Sequence, residues 1–186
     1  MIEYEGKDIR NVVLLGHAGS GKSTFIESAL LLTNEIDRMG NSSDGSLAMD
    51  YDPEEAKRGL SVYSSIAPIQ WKGRKINFID TPGYLDYEGD MVSGASVADL
   101  ALIFVSGKEG QQSGTEKAAN LAIKLGIPIC FLINNADEGI KFEEIAKSLT
   151  DVYGRGAVPF LIPEMDGNKM IGVRNTIYEE NDPYYN

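Results

Sequence analysis

The sequence predicts an α/β fold: a mostly parallel sheet layered between helices, with one antiparallel edge strand. Three observations predict it. An apolar run, Asn11-Val12-Val13-Leu14-Leu15, leads straight into a glycine-rich loop and then into a helical stretch at residues 24–32. Further apolar runs alternate with helical segments along the chain. The short link Trp71-Lys72-Gly73-Arg74 joins two of those runs, and a glycine-containing connection of that length makes a hairpin.

The first strand, residues 12–15, is apolar throughout, as a strand covered on both faces must be. After the helix of residues 24–32, residues 33–59 are long and polar and contain Gly40-Asn41-Ser42-Ser43-Asp44-Gly45-Ser46. Connections of that length in compact domains are functional or mobile. Strands two and three are residues 61–70 and 75–80. The fourth is residues 100–106 and the fifth residues 127–133. Between these last two, Ala118, Leu121, Ala122 and Leu125 recur at helical spacing, so residues 115–125 form an amphipathic helix. Two short runs, 158–163 and 169–173, flank Asp166-Gly167 and read as a strand pair. Residues 179–186 are acidic, tyrosine-bearing and poor in aliphatics, which suits a disordered end.

The chemistry begins in the first loop. Gly16-His17-Ala18-Gly19-Ser20-Gly21-Lys22-Ser23 fits the phosphate-cradling pattern G-x-x-x-x-G-K-[ST], placed between a strand and a helix as that pattern requires. The glycines let backbone N–H groups turn inward around phosphate oxygens, with Thr24 continuing into the helix. Lys22 supplies a cation for the outer phosphates, and Ser23 offers a hydroxyl to Mg²⁺. A second cluster, Ile79-Asp80-Thr81-Pro82-Gly83, closes the third strand with D-x-x-G. Asp80 there can hold Mg²⁺ through water, and the Gly83 N–H can approach a γ-phosphate. A third, Asn134-Asn135-Ala136-Asp137, closes the fifth strand, at the carboxyl end where open α/β sheets bind ligands. A carboxylate at Asp137 can accept from the N1–H and N2–H₂ edge of guanine. Adenine lacks that donor pair, so the wrong base leaves the carboxylate unmatched. An ATP-using enzyme remains the weaker alternative.

At 186 residues the chain is one domain with a small appendage, large enough to bury a core without staples. A formal net charge of −11 argues against a basic face gripping free nucleic acid, though not against docking on a ribonucleoprotein through a few local contacts. The single cysteine, Cys130, lies within an apolar run and reads as a small core hydrophobe; alone it demands no oxidising compartment. No run reaches membrane-spanning length, and the acidic N-terminus is no signal peptide. These features point to the cytoplasm.

With these clusters in order, the chain resembles the translational GTPases, most closely elongation factor G and its elongation-factor-G-like paralogues. The similarity runs from about residue 7 to about residue 173. It takes in the phosphate loop with His17, residues 51–62 around Arg58-Gly59, residues 71–83, and Gly114-Thr115-Glu116-Lys117. The resemblance implies a P-loop NTPase of Ras-like three-layer form that binds GTP or GDP with Mg²⁺, hydrolyses GTP on the ribosome and switches conformation. It makes residues 33–59 and 82–90 the two switch segments. It places a GTP-binding domain at residues 1–155 and the start of an inserted subdomain, or an incomplete tail, at 156–186.

Departures from the family pattern temper this. R-G-I-T-I has become Arg58-Gly59-Leu60-Ser61-Val62, and Ser61 keeps the metal-binding hydroxyl. The histidine that orients the attacking water is replaced by Tyr84, a phenol that stays protonated near neutrality with a pKa about 10. The family's phosphate-loop aspartate is Gly19. N-K-x-D has become Asn134-Asn135-Ala136-Asp137, so Asn135 lacks the alkyl stem that stacks on the base; binding should weaken while guanine choice is kept. No S-A-[LF]-like turn follows, which suggests a truncated chain without its last core strand. Catalysis is therefore assigned to Tyr84, Lys22 and Gly83 as a positioning set, with two alternatives open: a non-hydrolysing guanine-nucleotide switch, or an inert fragment whose base pocket is unfinished. His17 reads as a structural loop residue and Trp71 as a half-buried hairpin aromatic, while Lys57-Arg58 serves either a partner or solvent.

Overall fold

The computed structural model describes residues 3–40, 46–49, 63–83, 88–135, 141–167 and 169–177. The strands are β1 (Ile9–Gly16), β2 (Ser65–Trp71), β3 (Arg74–Asp80), β4 (Leu100–Ser106), β5 (Ile129–Asn134), β6 (Leu161–Asp166) and β7 (Lys169–Asn175). The helices are α1 (Lys22–Leu32), α2 (Glu88–Ser96), α3 (Ser113–Leu125) and α4 (Phe142–Tyr153). The main sheet runs β2-β3-β1-β4-β5, and β6 pairs with β7 separately. By packing, the chain forms two compact units: residues 1–105 with 112–132, and residues 106–111 with 133–186.

In the first unit β1 lies parallel to β3 on one side and to β4 on the other. β2 is the antiparallel edge, registered so that Trp71 faces Arg74 across a two-residue turn. Lys72 and Gly73 in that turn have φ of 45° and 78°. Two positive angles are the I′ form, whose twist matches that of the flanking strands. The expected hairpin and mostly parallel sheet are both present.

Alternate residues of the sheet feed two cores. Val12, Leu14, Phe78, Leu102 and Phe104 gather with Ile26 and Leu30 of α1. Phe25 meets Phe78 and Phe104 edge to face at 5.5 Å each, which seats the first turns of α1 on β3 and β4. The opposite side takes Val13 and Ile79, against which Gly94 of α2 packs so closely that a Cβ there would lie 3.1 Å from Ile79 Cγ2. Val13, Leu15, Ile103 and Val105 are wholly buried, which is why these strands read as unbroken apolar runs.

Several expectations need correction. β5 begins at Ile129 rather than 127: Pro128 has no N–H for the ladder, although its carbonyl still accepts from Ala101 N at 2.9 Å. β6 begins at Leu161 rather than 158, after the turns around Gly154 and Gly156 and the donor-less Pro159. In α3 the buried stripe is Thr115, Ala118, Ala119 and Ala122, while Leu125 is exposed beside the C-capping Gly126. Helices α2 and α4 have no counterpart in the sequence reading, and α2 takes over residues 88–90 of the expected second switch segment. Within the polar stretch 33–59, Leu47 and Met49 are buried, Met49 in the α1 core.

In the second unit, α4 buries Ile145 and Leu149, and Gln111 Nε2 donates to Ser148 Oγ at 2.9 Å. Thr176 N donates to the Phe160 carbonyl at 2.8 Å, closing the base of the β6–β7 hairpin.

The turn geometry makes a prediction. Lys72→Asn should stabilise the chain by about 0.5 kcal/mol, because asparagine tolerates positive φ, and Gly73→Val should destabilise it by about 1–2 kcal/mol. Urea denaturation midpoints measure both.

Candidate phosphate-binding site

The loop after β1 is built around positive backbone angles. Gly16, Gly19 and Gly21 have φ of 136°, 75° and 92°. At Gly16 the need for glycine is steric as well as torsional, since a Cβ would lie 2.7 Å from the Phe104 carbonyl oxygen of neighbouring β4. Gly21 caps α1 in the left-handed conformation without a side-chain hydrogen bond. The first-turn N–H groups of α1 have no carbonyl ahead of them in the helix, and the helix dipole makes that end positive. The result is a mouth of backbone amides suited to an anion.

Lys22 is only 6% exposed, although it is the first residue of α1. Its Nζ donates to the carbonyls of Gly16 and His17, at 3.1 Å each, folding the side chain back across its own loop. Burial pushes the ammonium below its usual pKa of 10.5, and the charge of Asp80 opposes that shift. Asp80, 1% exposed at the end of β3, accepts a hydrogen bond from Ser23 Oγ at 2.8 Å. Thr81, equally buried, donates through Oγ1 to the Leu14 carbonyl at 2.7 Å, locking the end of β3 to β1. Gly83 then comes against the loop. A Cβ there would lie 2.6 Å from Lys22 Nζ and 2.7 Å from the Ala18 nitrogen, so no other residue fits without displacing the lysine or the loop.

Gly16, His17, Ala18, Gly19, Ser20, Gly21, Lys22, Ser23, Thr24, Asp80 and Gly83 thus all belong to one unit. Ser20 is buried and Thr24 exposed. Asn134 and Asn135 end β5 and belong to the other unit, where the Asn134 carbonyl accepts from Gly107 N at 2.8 Å and Asn135 adopts φ of 57°. Ser61, Tyr84 and Asp137 lie outside the described residues.

Two participants were not among the site residues expected from the sequence. Gly114 in the first turn of α3 sits where a Cβ would be 2.8 Å from His17 Cα, so the helix presses directly on the loop. Among the described residues the buried His17 Nδ1 has no hydrogen-bond partner. Glu27, 1% exposed on α1, accepts hydrogen bonds from the backbone of residues 40 and 48. The first was marked in the sequence only as part of the family-like run Gly114-Thr115-Glu116-Lys117; for the second there was no signal.

Chemically, the amide mouth with Lys22 behind it suits a polyphosphate. The Ser23 hydroxyl and the Asp80 carboxylate are hard oxygen donors set side by side beneath it, a pair that fits Mg²⁺. Among the described residues no three His, Cys, Asp or Glu side chains converge on one point.

Comparison with known proteins agrees with this geometry. Residues 7–179 match the family model described as the elongation factor Tu GTP binding domain. An elongation factor G-like protein of Mycobacterium tuberculosis is 32% identical over 176 residues, 94% of this chain and 24% of its own. An elongation factor G-like protein of Thermotoga maritima is 32% identical over 158 residues, 84% of this chain and 22% of its own. The chain therefore spans about a quarter of the length of these relatives. A crystal structure of a Thermus thermophilus protein superposes with a TM-score of 0.86 at 34% identity, covering 91% of this chain and 26% of that one. The translation elongation factor SelB of Methanococcus maripaludis, solved with the GTP analogue GppNHp, shares the fold at a TM-score of 0.55 and 24% identity over 77% of this chain.

Gly16→Ala should cost about 2–3 kcal/mol in urea unfolding, combining a left-handed backbone with a clash against β4. Lys22→Met should leave the thermal midpoint of the nucleotide-free chain at or above the parent's, because it removes a buried ammonium. The sign follows from the lowered pKa of Lys22. Between that value and 10.5 the unfolded chain binds more protons, so the parent gains stability as pH rises through the window. The Lys22→Met variant lacks that gain, and the difference between the two pH–stability profiles measures it.

Proposed function

The chain belongs to the family of the elongation factor Tu GTP binding domain, and on that premise we propose that it binds GTP and GDP with Mg²⁺ and hydrolyses GTP as the G domain of an elongation-factor-G-like translation factor. In this reading residues 1–155 form the nucleotide-binding domain, and 156–186 begin an inserted subdomain. The observation that carries it is the Lys22–Ser23–Asp80 arrangement beneath an amide-lined loop with Gly83 against its mouth.

Residues 16–24 cradle the phosphates through backbone amides. Lys22 exchanges its two loop carbonyls for β- and γ-phosphate oxygens, so its positive charge is held within reach before nucleotide arrives. Ser23 and Ser61 would hold Mg²⁺, with Asp80, bonded to Ser23, acting on it through water; the ion would neutralise charge on the phosphates. Gly83 offers its N–H to the γ-phosphate. Asn134, Asn135 and Asp137 take the base, Asp137 accepting from guanine. The catalytic contribution is positioning and electrostatics around a water that Tyr84 orients by its hydroxyl. It is slow alone and completed by a partner, for which family membership favours the ribosome. Among the described residues no helix is long and apolar enough to cross a membrane, and a cytoplasmic place follows from the translation role.

A second reading rests on Tyr84 itself. A phenol is a poorer acceptor for a water proton than imidazole, which favours a guanine-nucleotide switch without turnover.

Calorimetric titration with GDP and Mg²⁺ tests the proposal. Saturable heat well below roughly millimolar nucleotide is expected, and its absence would overturn the reading. Asp137→Asn should shift preference from guanine towards xanthine nucleotides. In single-turnover assays with ribosomes, Tyr84→His should raise the rate by about tenfold or more if the parent turns over slowly, a gain typical of a better general-base contact. No stimulated hydrolysis by the parent, despite tight GTP binding, would favour the switch.

A further inference from the structure

The His17 carbonyl ties the phosphate loop together. It accepts from Lys22 Nζ at 3.1 Å and from Ser20 N at 3.3 Å, so one peptide oxygen holds both the turn of the loop and the lysine behind it. The residue that follows, Ala18, has its nitrogen against Gly83, where a Cβ would lie 2.7 Å from it. On its other side His17 rests on α3. A Cβ at Gly114 would lie 2.8 Å from His17 Cα, 3.0 Å from its Nδ1 and 3.1 Å from its Cβ. Nonbonded carbon atoms settle at about 3.5–4.0 Å, so a larger residue at position 114 must push the loop or the helix aside. The helix is well held. A capping box between Gln112 and Thr115 closes its first turn, and Thr115, Ala118, Ala119 and Ala122 bury its inner face. Gly114 lies inside that helix and is not among the glycines with positive φ, so the demand for glycine there is steric rather than torsional. Glycine is otherwise a poor helix former.

We propose that Gly114 is a positioning residue for polyphosphate binding: it lets α3 seat His17, and through the His17 carbonyl it sets where Lys22 and the loop amides stand. This rests on the guanine-nucleotide reading, in which the loop holds the phosphates that GDP and GTP share. Binding groups fixed in advance are sensitive to displacement. A misplacement of about 1 Å costs about 100-fold where geometry is preset, so a shift of part of that distance costs about tenfold.

The test combines calorimetry with amide spectra. Gly114→Ala should weaken GDP binding in the presence of Mg²⁺ by about tenfold, and it should move the amide resonances of residues 17–22 in the nucleotide-free chain while leaving those of β2 in place. Alanine favours the helix, so a role confined to α3 predicts a thermal midpoint at or above the parent's with GDP affinity kept; that result would overturn the inference. Ser113→Ala, one residue earlier and exposed, should keep affinity within about twofold. An equal loss there would mean that any change in this turn suffices, and would also overturn it. A second comparison removes the obstacle. His17→Gly deletes two of the three atoms that the added Cβ meets, so in that background Gly114→Ala should cost less than about threefold. A cost of about tenfold there would sink the coupling through His17, and this comparison stands even where Gly114→Ala alone does not fold. If the parent bound no nucleotide, the guanine-nucleotide reading itself would fall and take this inference with it. A parent that binds GDP, with Gly114→Ala binding equally well, sinks the brace alone.

Discussion

The phosphate end of this fold depends on a buried ammonium and a buried carboxylate being carried to the same spot by different elements. Lys22 opens α1 and Asp80 closes β3, with exposures of 6% and 1%. Burying either charge is unfavourable unless hydrogen bonds satisfy it. Here the bonds are present: two carbonyls for Lys22 and the Ser23 hydroxyl for Asp80. Desolvation still dominates at the lysine, whose proton is held less tightly than in water.

The rest of the first unit can be understood as what holds those charges still. Thr81 ties the end of β3 to β1, so Asp80 cannot drift from the loop that follows β1. Phe25 wedges against Phe78 and Phe104, fixing the N-terminus of α1 over the sheet. Gly16, Gly83 and Gly114 let backbone from three directions approach closer than any side chain would allow. These contacts restrict backbone freedom to secure placement, and they concentrate at the carboxyl ends of β1 and β3, where the sheet's geometry puts ligand sites.

Much of this was legible in the sequence because it is local. The loop pattern, the I′ hairpin at Lys72-Gly73 and the apolar runs of β1, β3 and β4 each carry their signal within a few residues. That Lys22, Ser23, Asp80 and Gly83 gather was expected from spacing and strand ends, and the structure brings those residues together. What was missed is non-local or weakly patterned. Helix α2 holds two glycines, Gly89 and Gly94, and Gly94 serves packing against Val13 and Ile79 rather than propensity. Helix α4 has a clear apolar stripe with Ile145 and Leu149 buried, yet it follows the Asn/Asp-rich cluster whose chemistry drew the reading away from periodicity. Leu47 and Met49 sit in a stretch whose polarity suggested a loop, and nothing nearby announced the buried carboxylate that holds it.

That carboxylate shows why composition along a helix underdetermines its work. On α1, Ile26 and Leu30 supply an ordinary apolar stripe, and Glu27 sits between them in a position that single-sequence reasoning assigns to solvent. It is buried because the segment after the helix folds back and donates its own N–H groups to it. Ser23 lies one turn earlier on the same face, about 5–6 Å away by helix geometry. A helix is stiff over one turn, so whatever fixes Ser23 against Asp80 also fixes where Gly40 and Ala48 attach. The side chains at these two positions make the first turns of α1 a common footing for the end of β3 and for the backbone at Gly40 and Ala48.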